Sequence, residues 1–131
     1  MGRQITKYFN EDELRCKCGC GEMKFSDKAV GKLDNLRFWL DRPIVINSGY
    51  RCPKHNDEVS STGLDGPHTV VDDDNITVDI RISDEDAHGL LKVIDYEVFT
   101  GVGIKQNGPH SSRFIHLDCL DEGPRPNVWS Y

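Results

Sequence analysis

Two histidines and an aspartate, His68, Asp79 and His116, lie in the stretch from Ser48 to Asp118 and have the residue types of a catalytic zinc site. Catalytic zinc is usually held by three nitrogen or carboxylate ligands, with a fourth position open to a water whose pKa falls toward about 7. Two neutral imidazoles and one carboxylate leave a single net positive charge on such an ion, which keeps the water acidic. A histidine in a strand is, taken singly, more often structural than a ligand. The three residues form a site only where the surrounding elements bring them together.

Hydrophobic patterning says how they would. Across residues 76–82, Ile76, Val78, Ile80 and Ile82 alternate with Thr77, Asp79 and Arg81, so a strand buries the first set and turns Asp79 to the opposite face. Residues 113–119 read the same way, with Ile115, Leu117 and Cys119 on one face and Phe114, His116 and Asp118 on the other. Two neighbouring strands of one sheet would offer Asp79 and His116 from a single face, with His68 arriving from the Gly/Pro-bearing loop before them.

Ser26 is placed to cap a helix carrying Val30, Leu33, Leu36 and Leu40 and ending before Pro43. Residues 43–47 predict a short buried strand that delivers Ser48, Gly49, Tyr50 and Arg51. Residues 52–74 predict a long loop, a kind of segment that is commonly functional. Ser83 to Asp86 resembles a capping box and opens a helix with an apolar stripe of Ala87, Leu90, Leu91 and Ile94. Residues 98–105 form another short apolar segment, 108–110 a turn, and 123–131 a turn-rich tail. The expected fold class is α+β: a small antiparallel sheet with one face packed on two helices and the other carrying the metal.

At 131 residues the chain predicts a single domain, 1–131, whose first 25 residues form an irregular, cysteine-bearing segment. With 16 basic and 22 acidic residues the net charge is -6, which argues against a nucleic-acid partner. No apolar run has secretory or membrane-spanning length, so a soluble monomer made without a cleavable export signal is expected, with no membrane partner. Of five cysteines, Cys16, Cys18 and Cys20 alternate, and no Cys-x-x-Cys pair occurs. Three readings stand open: unpaired thiols in a reducing compartment, a structural metal held by some of Cys16, Cys18, Cys20 and Cys52, or a disulfide to Cys52. Cys119 reads as a small core residue, Tyr50 and Trp129 as packing residues with lining of the substrate cleft as the alternative, and His55 and His88 as surface histidines.

Several motifs carry a resemblance. Phe9 followed by Arg15-Cys16-Lys17-Cys18-Gly19-Cys20-Gly21, the run from Arg42 to Asn56 containing Ser48-Gly49-Tyr50-Arg51-Cys52, and Gly66-Pro67-His68 come first. Val78-Asp79-Ile80, Phe114-Ile115-His116-Leu117-Asp118 and Arg125-Pro126-x-x-Trp129-Ser130-Tyr131 follow in the chain. Together and in this order they resemble the zinc D-alanyl-D-alanine carboxypeptidase-like peptidases, which include peptidoglycan peptidases and phage endolysins and share a fold with the hedgehog signalling domain. The resemblance implies that His68, Asp79 and His116 bind Zn2+, that Arg51 binds substrate or stabilises the oxyanion, and that the partner is a peptidoglycan peptide. The expected lack of an export signal suits action on the cell wall after phage-type release, as a lysin or a tail component, with a cytoplasmic bacterial protein as the alternative.

The chain departs from the family pattern in two places. The family writes Ser-x-His-x-x-Gly-x-Ala-x-Asp, whereas His68 and Asp79 are eleven residues apart and the acidic run Asp72-Asp73-Asp74-Asn75 intervenes. That run reads as a solvated bulge, with Asp72 or Asp74 as an alternative carboxylate ligand and a calcium site as a further alternative. Relatives often place a general base a few residues before the second zinc histidine, where this chain has Arg113. Asp118 and His110 are the remaining candidates, and Asp118 serves equally well as a carboxylate that orients a ligand imidazole. The leading function is a zinc metallopeptidase of peptidoglycan, either a carboxypeptidase or an endolysin-type endopeptidase. The alternatives are a non-catalytic metal-binding or phage structural module of the same fold and a peptidase for D-amino-acid peptides outside the wall.

Overall fold

The structure, a computed structural model, describes residues 2–131. Four helices, α1 (Glu11–Leu14), α2 (Asp27–Leu40), α3 (Pro53–Val59) and α4 (Asp84–Val93), accompany five strands. The strands are β1 (Val45–Ser48), β2 (Val78–Arg81), β3 (Gly101–Lys105), β4 (Phe114–Asp118) and β5 (Asn127–Ser130), in the order β1-β2-β4-β3-β5. All pairings are antiparallel except β3 with β5, which run parallel. The α+β class is as expected.

The helical periodicity places α2 and α4 where their stripes require. Ser26 accepts a hydrogen bond from the Ala29 amide at 3.0 Å, and Ala29, Val30, Leu33 and Leu36 are buried. Ala87 and Leu90 of α4 join the same core, which lies against Val78, Ile80, Ile115 and Leu117 of the central strands. Ser83 makes no side-chain cap; the start of α4 is instead tied to Arg113, whose guanidinium meets Asp84 at 3.0 Å. Among the described residues no helix is long and apolar enough to cross a membrane.

Four segments differ from their reading. The first 25 residues are not uniformly irregular: Asn10 and Glu13 close a capping box on α1, and Phe9, Leu14, Cys16 and Phe25 enter the core. A helix of one turn is too short to show a 3.6-residue period, so the box was its one signal. The predicted long loop contains α3, which has Pro53 at its first turn and no apolar stripe, since Asn56 is its one buried residue. The apolar run at 43–47 forms an edge strand, with Val45 54% exposed, because an apolar run alone does not distinguish edge from centre. The tail supplies β5.

Candidate metal centre and its cleft

The register of β2 on β4 sets Asp79 directly across from His116, and Gly103 of β3 faces His116 from the other side. A short 3-10 turn, Pro67–Thr69, brings His68 to the same point. One ligand atom of each of His68, Asp79 and His116 lies within 4.8 Å of the others. His116 Nδ1 is 3.0 Å and His68 Nε2 3.4 Å from Asp79 Oδ1. Bonds of about 2.0–2.1 Å around a tetrahedral zinc put neighbouring ligand atoms about 3.3 Å apart, so these separations fit such an ion.

The opposite nitrogen of each ring is already engaged. His68 Nδ1 lies 2.7 Å from the Gly49 carbonyl, and His116 Nε2 lies 2.8 Å from Asp118 Oδ2. With those nitrogens protonated and donating outward, the remaining lone pairs face Asp79. Metal-binding imidazoles show this arrangement, in which an outer acceptor fixes the tautomer and ring orientation.

Asp118 is fully buried and clamped: Arg125 donates to both its oxygens, at 2.9 Å through Nε and 2.8 Å through Nη2. With His116 on the same carboxylate, Asp118 has no open approach to the cleft and does not stand where a base must reach a water. His110 does not join the group either. It is exposed, 3.3 Å from Asp84, and lines a separate hollow with Arg42 and Asp86. Asp72 and Asp74 are also remote from the centre: Asp72 caps the Asp74 and Asn75 amides of its own turn, and Asp74 pairs with Lys28 of α2 at 2.9 Å.

Arg51 lies in the cleft. Its guanidinium is fixed by Ser48 Oγ at 3.0 Å and Asn56 Oδ1 at 3.1 Å, and it approaches Asp79 Oδ2 at 3.5 Å. It thereby holds one Asp79 oxygen while the other faces the two histidines. In the metal-free protein burial disfavours the Asp79 anion, but the His116 and His68 rings, when they also carry a proton on the inward nitrogen, donate to it and hold its carboxyl well below the usual carboxylate range. Burial likewise pushes the His68 ring down. Burial acts against His116 too, yet Asp118 and then Asp79 hold that ring above its ordinary value.

Several contributors escaped the sequence reading. Asn56 accepts from Arg51 and donates to Thr62 Oγ1 at 2.8 Å and Gly63 O at 2.7 Å, which fixes the loop over the cleft. Asn75 bonds Val70 O, Thr77 Oγ1 and the Cys119 amide, joining the acidic bulge to the end of β4. Arg125 stacks over Trp129 at 5.0 Å, and Trp129 faces the His116 ring at 5.2 Å. Trp129 therefore walls the cleft rather than packing in the core, whereas Tyr50 is buried edge-on against Phe25. The Arg-Pro-x-x-Trp-Ser-Tyr motif of the tail was the available signal for Arg125, and Trp129 takes the cleft-lining alternative of its sequence reading. The cleft encloses about 460 Å³ and includes Arg51, Phe114, Trp129 and Tyr131 with the three candidate ligands.

His68, Asp79 and His116 are buried together on one sheet face and open into a cleft with a fixed arginine, a set of donors that could hold a divalent metal ion. The sequence profile described as peptidase M15 matches residues 7–118, and the chain belongs to that family, the zinc D-alanyl-D-alanine carboxypeptidase-like peptidases. Comparisons with curated proteins and with solved structures find no match. The matched residues take in all three candidate ligands and Arg51, while Arg125, Trp129 and Tyr131 lie beyond them.

Proposed function

We propose that the chain is a zinc-dependent peptidase that hydrolyses peptide bonds of peptidoglycan, as a D-Ala-D-Ala carboxypeptidase or an endolysin-type endopeptidase. The observation that carries this reading is the commitment of one nitrogen of each imidazole to an outer acceptor, which leaves His68 Nε2, Asp79 Oδ1 and His116 Nδ1 turned to one point. Bound there, zinc would supply Lewis acidity and an acidified water. Arg51 offers its guanidinium to the negative charge that develops on a scissile carbonyl, already positioned by Ser48 and Asn56. Asp118, held by Arg125, orients His116. Trp129 and Tyr131 give a substrate a flat aromatic wall.

A second reading has its own support. Among the described residues the cleft lining holds no carboxylate or imidazole beyond the three ligands, and Arg113, at the position relatives use for a base, is tied to Asp84. A metal-binding module without turnover would look the same. Digestion of intact sacculi, with mass analysis of the released peptides, separates the readings. Peptides released by the zinc-loaded protein and lost on chelation and in His116→Ala support the peptidase, and their absence with zinc bound supports the module. Soluble D-Ala-D-Ala peptides assayed alongside distinguish exo- from endo-cleavage.

A further inference from the structure

A second convergence lies away from the cleft lining. Cys16, Cys18 and Cys20 come from the N-terminal segment and Cys52 from the N-cap of α3, yet their four sulfurs all lie within 4.8 Å of one another. The Sγ separations are 3.5 Å for Cys16 and Cys18, and 3.7 Å from Cys52 to each of them. A tetrahedral zinc with bonds of about 2.3 Å spaces its thiolate sulfurs about 3.8 Å apart. Disulfides would draw the sulfurs together in pairs and require no common centre; four sulfurs sharing one centre match a single ion.

The backbone is shaped for the same purpose. Gly19 at φ +92° and Gly21 at φ +76° reverse the chain on either side of Cys20, a path that residues with a Cβ follow only under strain. The Cys52 amide donates to Cys16 Sγ and the His55 amide to Cys52 Sγ, both at 3.4 Å, and such donors favour sulfur in its anionic form. Arg15 reaches the Gly21 carbonyl at 3.3 Å and closes the turn.

We propose that Cys16, Cys18, Cys20 and Cys52 together bind a structural zinc ion, closed to water by four thiolates, that clamps the N-terminal segment onto the start of α3. Cys52 is the residue after Arg51, so the clamp also anchors the backbone that carries the cleft arginine. The assignment is independent of peptidase activity.

The test is metal analysis of protein produced without added zinc, in wild type and in His116→Ala, which removes a cleft ligand and leaves the cysteines intact. The expected result is one zinc per chain retained by His116→Ala, released in step with thiol titration by an organomercurial. Cobalt-substituted wild type should show the sulfur-to-metal charge-transfer bands of a tetrahedral thiolate site, a readout that does not depend on any cysteine variant folding. Three outcomes overturn the proposal: His116→Ala free of zinc, iron in place of zinc, or blocked thiols in denatured, unreduced protein, which would mean disulfides.

Discussion

His116 depends on residues that never touch the reacting atoms. Asp118 holds its outer nitrogen at 2.8 Å, and Arg125 neutralises Asp118 through two hydrogen bonds. Asp118→Asn should therefore weaken zinc binding by about 10- to 100-fold, measured by competition with a chromogenic chelator. Arg125→Ala leaves a buried carboxylate without its cation and should cost about 3–5 kcal/mol, measured by urea unfolding of the metal-free protein. On the proposed role of its guanidinium as a donor to developing charge, Arg51→Ala should lower kcat by about 10²- to 10³-fold while zinc stoichiometry stays unchanged. An equal loss of metal would mean that Arg51 acts only by holding Asp79.

The elements divide the work between two faces of one sheet. The face toward α2 and α4 is apolar, and Leu33→Ala, at a fully buried position of α2, should destabilise by about 2–5 kcal/mol without altering metal content. The other face needs room for the aromatic wall. A Cβ on Gly103 would approach the Trp129 ring at 2.6 Å, so Gly103→Ala should displace that ring. The expected signature is a raised KM with unchanged zinc content, and a shifted emission of Trp129 in a Trp39→Phe background. An unchanged KM would show that Trp129 contributes no substrate contact.

At the scale of the whole molecule, the proposed zinc would compete with protons for the His116 ring. In the metal-free protein, Asp118 opposes its own burial through Arg125 and His116, and its carboxyl is lowered. The stability this contributes is present above about 3.9 and is lost as pH falls through the lower folded value. His116 is raised, so its contribution to the metal-free fold is present below about 6.5 and is lost as pH rises through the higher folded value. Zinc requires the neutral ring, which reverses the second dependence. The difference in Tm between zinc-loaded and chelated protein should therefore widen from about pH 5 to about pH 8. The same widening in His116→Ala, whose cysteine cluster is intact, would exclude His116 as a ligand.

The sequence by itself determined the two amphipathic helices, the alternation that turns Asp79 and His116 to the polar face, and the family, because each is written in local periodicity or in ordered motifs. It also pointed to His68, Asp79 and His116 as a set, but left the alternatives Asp72 and Asp74 open. The tertiary structure decided what depends on contacts between distant segments: the register that sets Asp79 opposite His116, and the engagement of Asp72 and Asp74 on their own turn and on α2. It also decided the clamping of Asp118 by Arg125 and the separation of His110 from the cleft. Short elements such as α1, α3 and β5 were least legible, since four to seven residues carry too little period to read, and their stability comes from what they pack against. The meeting of four cysteine sulfurs from two distant segments is of the same kind: spacing along the chain left three states open, and the fold placed the sulfurs around one centre.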